Sequence, residues 1–329
     1  MDKTKIPQPP NRLFFLQALS PIHIGVGEGA GAINLPTARE VVTQHPYVPG
    51  STIKGILRDF AEQQHRENAD TGRYGDDPVV HVFGPPQARA GDGRGGVVFT
   101  DARLLFLPIR SLIGGFALVT CPLILHRLHR ELQASGRQAP DVDAVAALTV
   151  DDHHHCLVTP TSALTHKSAV LLEDIRLTPK EDSKLDTFAQ KWLAGRAWDI
   201  KESELYRPRL AVVSDTLFGF LVRLNLEVRS RVPIDDETGT AATSGPWLEE
   251  YIPAEAIFYG TAEGRHTALT EQAETEAGAE GTQKNTLPKD AQSSLERLLG
   301  VVPRAPLLRF GGKGSVGAGR ALFRLERNH

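Results

Sequence analysis

The first apolar run has the density of a strand. Arg12 to Leu19 (RLFFLQAL) is almost unbroken and eight residues long, which predicts an opening β-strand. The pattern then breaks into a glycine-rich loop from Ser20 to Gly31, with Gly25, Gly27, Gly29 and Gly31 at every second position. From Ser51 the period becomes helical. Ile53, Ile56, Leu57 and Phe60 fall at i, i+3, i+4 and i+7, Ser51 or Thr52 is placed to cap, and Lys54 and Arg58 lie four apart on the other side. Asn68 to Asp92 is polar and rich in Gly and Pro, hence loop, with His81 to Pro86 as an apolar anchor. Gly96 to Leu107 reads as strand. Leu112 to Leu132 is an apolar stretch that ends as a helix, and Asp141 to Val150 and Leu185 to Trp192 read as helices. Leu217 to Val232 holds a strand pair or a helix-to-strand passage, and alternation puts Arg229 and Arg231 on one face. Asp235 to Gly239 is a turn, and Trp247 to Ile252 is a return strand. Residues 260–290 have little periodicity and read as an acidic, mobile insertion. Ser293 to Leu299 is a short helix. Leu307 to Phe310 and Arg320 to Leu325 are strands flanking a second glycine-rich loop, Gly311 to Gly319. Strand-rich ends with helices between them predict an α+β fold with no tandem repeat.

Composition changes the picture in one respect. The 329 residues carry a net charge of −3, which argues against a free-standing nucleic-acid binder. The charge is uneven, however. Glu249 to Gly281 holds eight acidic residues and one basic residue, and without this stretch the chain has 36 basic residues against 32 acidic ones. An acidic segment thus masks a mildly basic body. Two cysteines, Cys121 and Cys156, imply no disulfide framework and fit a reducing compartment. The polar N-terminus has no signal-peptide character, and the most apolar run, Leu112 to Leu125, is interrupted by Gly114, Gly115 and Pro122. These features predict a soluble cytoplasmic protein with no membrane partner.

Four places could carry chemistry. The loop Gly311 to Arg320 contains Gly-x-Gly-x-x-Gly at Gly312, Gly314 and Gly317, but only nine residues follow Arg320, too few for a dinucleotide-binding βαβ unit. Gly314 after Lys313 excludes a P-loop. Two readings survive: a loop whose backbone N–H groups meet phosphates beside Lys313 and Arg320, or a tight turn between strands. The helix start at Ser51, with Lys54 and Arg58, is either a second anion site or a solvated charged face. Arg229, Arg231 and Trp247 fit a nucleic-acid contact if a hairpin brings them together, and they equally fit a hairpin packed on a core. The run Asp151 to Cys156 contains three adjacent histidines, which point in different directions and so make a poor metal site.

In order along the chain, several segments match one family. They are His23-Ile24-Gly25-Val26-Gly27 with Ile33-Asn34-Leu35-Pro36 and Arg39-Glu40; Pro46 to Arg58 around Pro-Gly-Ser-Thr-Ile-Lys-Gly; Phe83-Gly84-Pro85; Asp101 to Leu105; Pro108-Ile109-Arg110-Ser111-Leu112; Val119 to Leu123; Ile234 to Thr238 with Trp247 to Tyr251; and the terminal glycine loop. Together they resemble the backbone RAMP subunit of the type III-B CRISPR effector (Cmr) complex, over nearly the whole chain. The resemblance implies an RRM-like (ferredoxin-like) palm with helical insertions, made mainly of 12–60, 96–125, 205–230 and 295–326. It also implies a protruding β-hairpin thumb at about 228–254. The implied partners are crRNA, target RNA, further copies of the chain in a filament and other subunits of the complex. The implied RNA contacts are Arg39, Ser51, Lys54, Arg58, Arg110, Arg229, Arg231, Trp247, Gly312, Lys313, Gly314, Gly317 and Arg320. The family's metal-dependent cleavage of target RNA relies on an aspartate in the first loop, at the position of Asn34 here. Asparagine binds Mg²⁺ poorly and is no base at neutral pH, so cleavage is expected to be lost, and Mg²⁺ is expected only if an aspartate stood there. Asn34 fits either a natural scaffold that does not cut or an aspartate replaced to trap bound target. An endoribonuclease that uses another carboxylate is the alternative.

Overall fold

A computed structural model describes residues 9–29, 31–68, 77–85, 93–150, 152–234, 239–240, 245–265, 268–269 and 291–326. Strand β1 (Asn11–Ala18) is buried at seven of its eight positions, as its apolar run demands. Helix α1 (Gly50–Asn68) lays Ile53, Leu57 and Ala61 into the core at a spacing of four, with Ile56 and Phe60 half-buried beside them. Strand β2 (Ala102–Ser111), strand β3 (Ile257–Gly264), helix α2 (Ala291–Val301) and strand β4 (Arg320–Leu325) complete the frame. All three pairings are antiparallel: β1 with β4 (Leu16 opposite Phe323), β1 with β3 (Phe14 opposite Gly260) and β3 with β2 (Ile257 opposite Phe106). The order is therefore β4-β1-β3-β2, with α1 joining β1 to β2 and α2 joining β3 to β4. That is the split βαβ arrangement of a ferredoxin-like fold. On one face of this sheet Phe14 stacks on Phe323 at 5.1 Å and meets Phe99 at 6.2 Å.

A long insertion separates β2 from β3. Its strands Gly115–Thr120, Leu210–Val212, His155–Val158, Ile175–Glu181 and Val170–Leu172 extend the sheet beyond β2 in that order. Gly115–Thr120 and Leu210–Val212 run parallel. The insertion also holds the helices Pro122–Ala134, Pro140–Ala146, Ile200–Tyr206 and Asp215–Leu224, and the helix Ser183–Thr187, which continues as a π-helical turn over Phe188–Leu193. Tyr206 anchors the insertion to the frame: its hydroxyl donates to Glu255 and accepts from Gln17 of β1. The last pair, Glu227–Arg231 and Trp247–Tyr251, forms a separate antiparallel hairpin.

Several expectations need correction. Helix α1 begins at Gly50, and neither Ser51 nor Thr52 caps it. Asp101, from the bend before β2, accepts the Gly50 N–H at 2.8 Å instead. Pro78–Phe83, expected as loop, is a helix that Asp77 caps by accepting from Val79 N; an Asp-Pro start outweighed the Gly/Pro-rich surroundings. The strand expected over 96–107 is two, Val97–Phe99 and β2. The stretch 205–230 gives no strand to the four-strand frame. That role falls to β3, which takes up the first residues of the stretch expected to be the acidic insertion. Residues 235–238, 241–244 and 270–290, which hold most of the expected turn and insertion, lie outside the described residues.

The small residues of β3 that look loop-like answer a packing demand. A Cβ on Gly264 would stand 2.0 Å from the Ala291 carbonyl oxygen, where α2 begins against the strand. Gly264→Ala is expected to push α2 off the sheet and to cost roughly 1–3 kcal/mol. The urea-denaturation midpoint measures this, and an unchanged midpoint would mean that α2 does not rest on β3.

Candidate nucleic-acid interface

In the hairpin, Arg231 lies opposite Trp247 and Arg229 opposite Glu249. Successive residues of a strand point to opposite faces, so Glu249 and Glu250 look in opposite directions. Both are nonetheless buried, at 1% and 4% exposure. Each must therefore find its own partners, and each draws at least one from a different loop.

Glu250 faces the first glycine loop. Arg39 donates to it at 2.7 and 3.3 Å, and Thr37 N–H donates at 3.1 Å. Alongside, Leu35 runs parallel to the hairpin strand: Leu35 N–H donates to the Leu248 carbonyl and Glu250 N–H to the Leu35 carbonyl, both at 3.0 Å. Asn34 belongs to this seam. Its side-chain oxygen accepts the Leu248 N–H at 2.8 Å, and its carbonyl accepts from Gly29 N–H.

Glu249 faces the C-terminal glycine loop. Lys313 Nζ donates to it at 2.6 Å, Trp247 Nε1 at 2.9 Å and the Tyr251 hydroxyl at 2.5 Å, with Arg231 Nε at 3.4 Å. Burial alone would raise this carboxyl. The hydrogen bonds from Lys313, Tyr251 and Trp247 outweigh it and hold the group down at about 2. Arg229 lies over the Tyr251 ring at 4.6 Å and bonds Glu227 at 2.6 Å.

The two glycine loops also touch each other. Gly311, at φ +85°, lies so close to the His23 carbonyl oxygen that a Cβ would stand 2.0 Å from it, and Gly319 N–H donates to the Pro21 carbonyl at 2.8 Å. His23 Nδ1 lies 2.7 Å from the Glu250 carbonyl, and its ring is 5.4 Å from that of Tyr251. First loop, hairpin and terminal loop thus form one surface bearing Arg229, Arg231, Trp247, Lys313 and the open backbone at Gly312, Gly314 and Gly317. Arg39 also belongs to it, but is fully engaged with Glu250 and Gln44. Arg320 is exposed at the loop's end, where its N–H bonds Ser20.

The other candidates lie elsewhere. Ser51 is exposed in the first turn of α1. Lys54 is half-buried, and burial and the like charges of Arg58 and Arg265 lower its pKa; no anionic partner meets it among the described residues. Arg58 bonds Glu62 and the Gly84 carbonyl. Arg110 does not join the surface and pairs instead with Glu173 at 2.9 Å. His153 meets Ser214 while His155 meets Asp152, so these histidines diverge. Nor do the residues at Asn34 fit a divalent cation. The amide oxygen is neutral and already accepts from Leu248, Glu249 is engaged by its donors, and no group of three His, Cys, Asp or Glu that could hold a metal occurs among the described residues.

Comparison with known proteins identifies the family. The model of the RAMP superfamily matches residues 15–323. The chain belongs to the RAMP superfamily. It is 30% identical over 249 residues to the CRISPR system Cmr endoribonuclease Cmr4 of Pyrococcus furiosus, covering 74% of this chain and 78% of that protein. It is 20% identical over 268 residues to the CMR subunit Cmr4 of Saccharolobus solfataricus, covering 75% and 82%. Among solved structures, oligomeric Cmr4 from P. furiosus shares the fold at a TM-score of 0.66 and 24% identity, covering 97% of this chain and 98% of that one. A chain of the type III-B Cmr-beta complex bound to cognate target RNA gives 0.68 at 18% identity, covering 97% and 98%.

Sequence reasoning found the basic and aromatic members of this RAMP surface but not the acidic ones that assemble it. The signal was present: two adjacent glutamates in a strand cannot both face solvent once both sides of the strand are packed. Glu249 ionises below its ordinary value of 4.5, so it stabilises the docked hairpin fully above about 4.5 and loses that contribution as pH falls towards about 2. Glu249→Gln is expected to flatten the acid side of the Tm–pH curve, and Lys313→Met to cost about 1–3 kcal/mol at neutral pH. An acid limb unchanged by Glu249→Gln would contradict the assigned role.

Proposed function

We propose that this chain is a repeated backbone subunit of a type III-B CRISPR ribonucleoprotein. It holds crRNA by its sugar–phosphate backbone, whatever the guide sequence, and positions complementary target RNA for antiviral defence. The observation that carries this reading is the convergence of two glycine loops and a basic, aromatic hairpin on one surface. Gly312 supports it in particular, since among the described residues nothing beyond its chain neighbours approaches within 4 Å of where its Cβ would stand. That space suits close approach by a phosphate. Backbone contacts suit a subunit that must accept any guide, because base pairing then carries the specificity. The hairpin serves as the thumb that meets the paired strands, and Lys54 with Arg58 adds a second phosphate contact at α1. Two buried free thiols, Cys121 and Cys156, fit a reducing cytoplasm, and no helix among the described residues is long and apolar enough to cross a membrane.

Lys54→Glu is expected to weaken association with guide RNA for all sequences alike and to flatten its salt dependence. Filter binding over a salt series checks this. An unchanged slope, or a loss confined to certain sequences, contradicts backbone contact.

A second reading has its own support, since the P. furiosus relative at 30% identity is named an endoribonuclease. Asn34 favours the first reading over the second. A neutral amide supplies neither charge nor basicity, and losing such a group costs on the order of 10²–10⁴ in rate. The complex containing this chain is therefore expected to bind complementary RNA without cutting it at regular intervals. An aspartate at position 34 can accept the same Leu248 N–H, which would favour its ionised form. Asn34→Asp is accordingly expected to leave the fold intact and to restore evenly spaced cuts in magnesium-containing buffer. Spaced products from the Asn34 complex would place the cutting group elsewhere, and an inert Asn34→Asp complex would mean that more of the site is missing.

A further inference from the structure

A cavity lies outside the surface described above. The short helix Pro78–Phe83 runs between α1 and α2. Arg58 of α1 donates to the Gly84 carbonyl at its end, and Ser294 Oγ of α2 lies 3.4 Å from His81 Nε2. Val79 and Val82 are buried in this seam. Towards the ends of α1 and α2 the three helices leave a cavity of about 370 Å³. That is near the lower end of the roughly 300–1,000 Å³ typical of ligand clefts.

Its lining is of two kinds. Ala61, Pro78, Val79 and Val301 form an apolar wall, while Arg297 brings a cation and His65 a ring N–H. Arg297 is half-buried and has no ion pair among the described residues. His65 Nε2 lies 3.7 Å from Asp77, a carboxylate that also accepts the Val79 N–H at 2.8 Å. No described carboxylate lines the cavity itself.

Gly300 completes the lining from α2. Glycine weakens a helix, and it is required there only where the packing is too close for a Cβ or the backbone is left-handed. Neither condition holds here. Among the described residues nothing beyond its chain neighbours and its own helix stands within 4 Å of where its Cβ would be, and its φ is not positive. The absent side chain instead leaves the cavity open. Lys54, Arg58 and His65 share one side of α1, because four and eleven residues are close to whole turns. The cavity therefore lies roughly 16 Å along the helix from Lys54.

We propose that this cavity binds one phosphorylated nucleoside, with the base against the apolar wall and Gly300 and the phosphate on Arg297 and His65. The ligand class rests on the reading of the chain as an RNA-binding subunit; the site is separate from the glycine-loop surface. A half-buried guanidinium without a carboxylate favours an anion, and its strongest bonds are charge-assisted ones to phosphate or carboxylate. The apolar wall, with small residues at Ala61 and Gly300, suits a flat ring, and the volume suits one nucleotide. That nucleotide is either free or one unit of a single-stranded RNA, which offer the same base and phosphate.

The test is calorimetric titration of the full chain with adenosine 5′-monophosphate and with a single-stranded RNA tetranucleotide. Wild type is expected to bind at least one of them saturably, and to bind adenosine or inorganic phosphate roughly tenfold or more weakly, since each meets half of the site. Arg297→Ala is expected to weaken binding about tenfold or more, and Gly300→Leu, which fills the cavity, to abolish it. Both substitutions suit a helix at least as well as the native residue, so melting temperatures should not fall. Binding of the mononucleotide identifies a free nucleotide as the ligand, and binding of the tetranucleotide alone identifies a unit of RNA. Titrations left unchanged by both variants, or no saturable binding of either probe, would overturn the site. Guide-length RNA association, measured alongside, still holds in that case and is lost only if the proposed function itself fails.

Discussion

Two adjacent carboxylates organise the functional half of this molecule. Glu249 and Glu250 leave one strand in opposite directions and are both withdrawn from water. A buried carboxylate is tolerated only when charge and hydrogen bonds replace its lost hydration. Arg39 and the Thr37 N–H do this for one, and Lys313, Trp247 and Tyr251 for the other. Arg39 and Lys313, which come from the two loops, lie 274 residues apart in sequence. Moving the first loop off the hairpin strips Glu250 of Arg39 and Thr37, and moving the terminal loop off strips Glu249 of Lys313, so the carboxylates couple the hairpin to both glycine loops.

The ferredoxin-like frame places that unit. The first loop leaves β1 and the terminal loop enters β4, and these strands are neighbours. The hairpin returns through Ile252, which exchanges backbone hydrogen bonds with Ile22, before the chain enters β3 on the other side of β1. Adjacency in the sheet thus brings the three segments together, and the glutamates fix them. Exposed glycine backbone and cations are left on the surface, which suits a ligand that offers phosphates but no fixed sequence.

Much of this was legible in the sequence, for identifiable reasons. The α1 stripe, β1 and the hairpin follow periods set by local geometry, so Ile53, Leu57, Arg229 and Arg231 could be assigned to faces. The glycine loops announced themselves by density. β3 was not legible, because Gly260, Thr261 and Gly264 answer to neighbours distant in sequence rather than to strand propensity. The Asp101 cap on α1 was hidden for the same reason, its partner being 51 residues away. Arg39, which the resemblance implies as an RNA contact, is turned by the fold onto Glu250, a partner that only the structure reveals. Asn34 was found by its departure from a family pattern, but its bond to Leu248 could come only from the fold.

If the first loop, the hairpin and the terminal loop act as one RNA-binding surface, all three respond to RNA together. Hydrogen–deuterium exchange of the full chain with and without guide-length RNA tests it most directly. The account predicts that RNA slows exchange together at residues 23–37, 247–252 and 311–319. Protection of one of these segments without the other two, or protection confined to other parts of the chain, would contradict it.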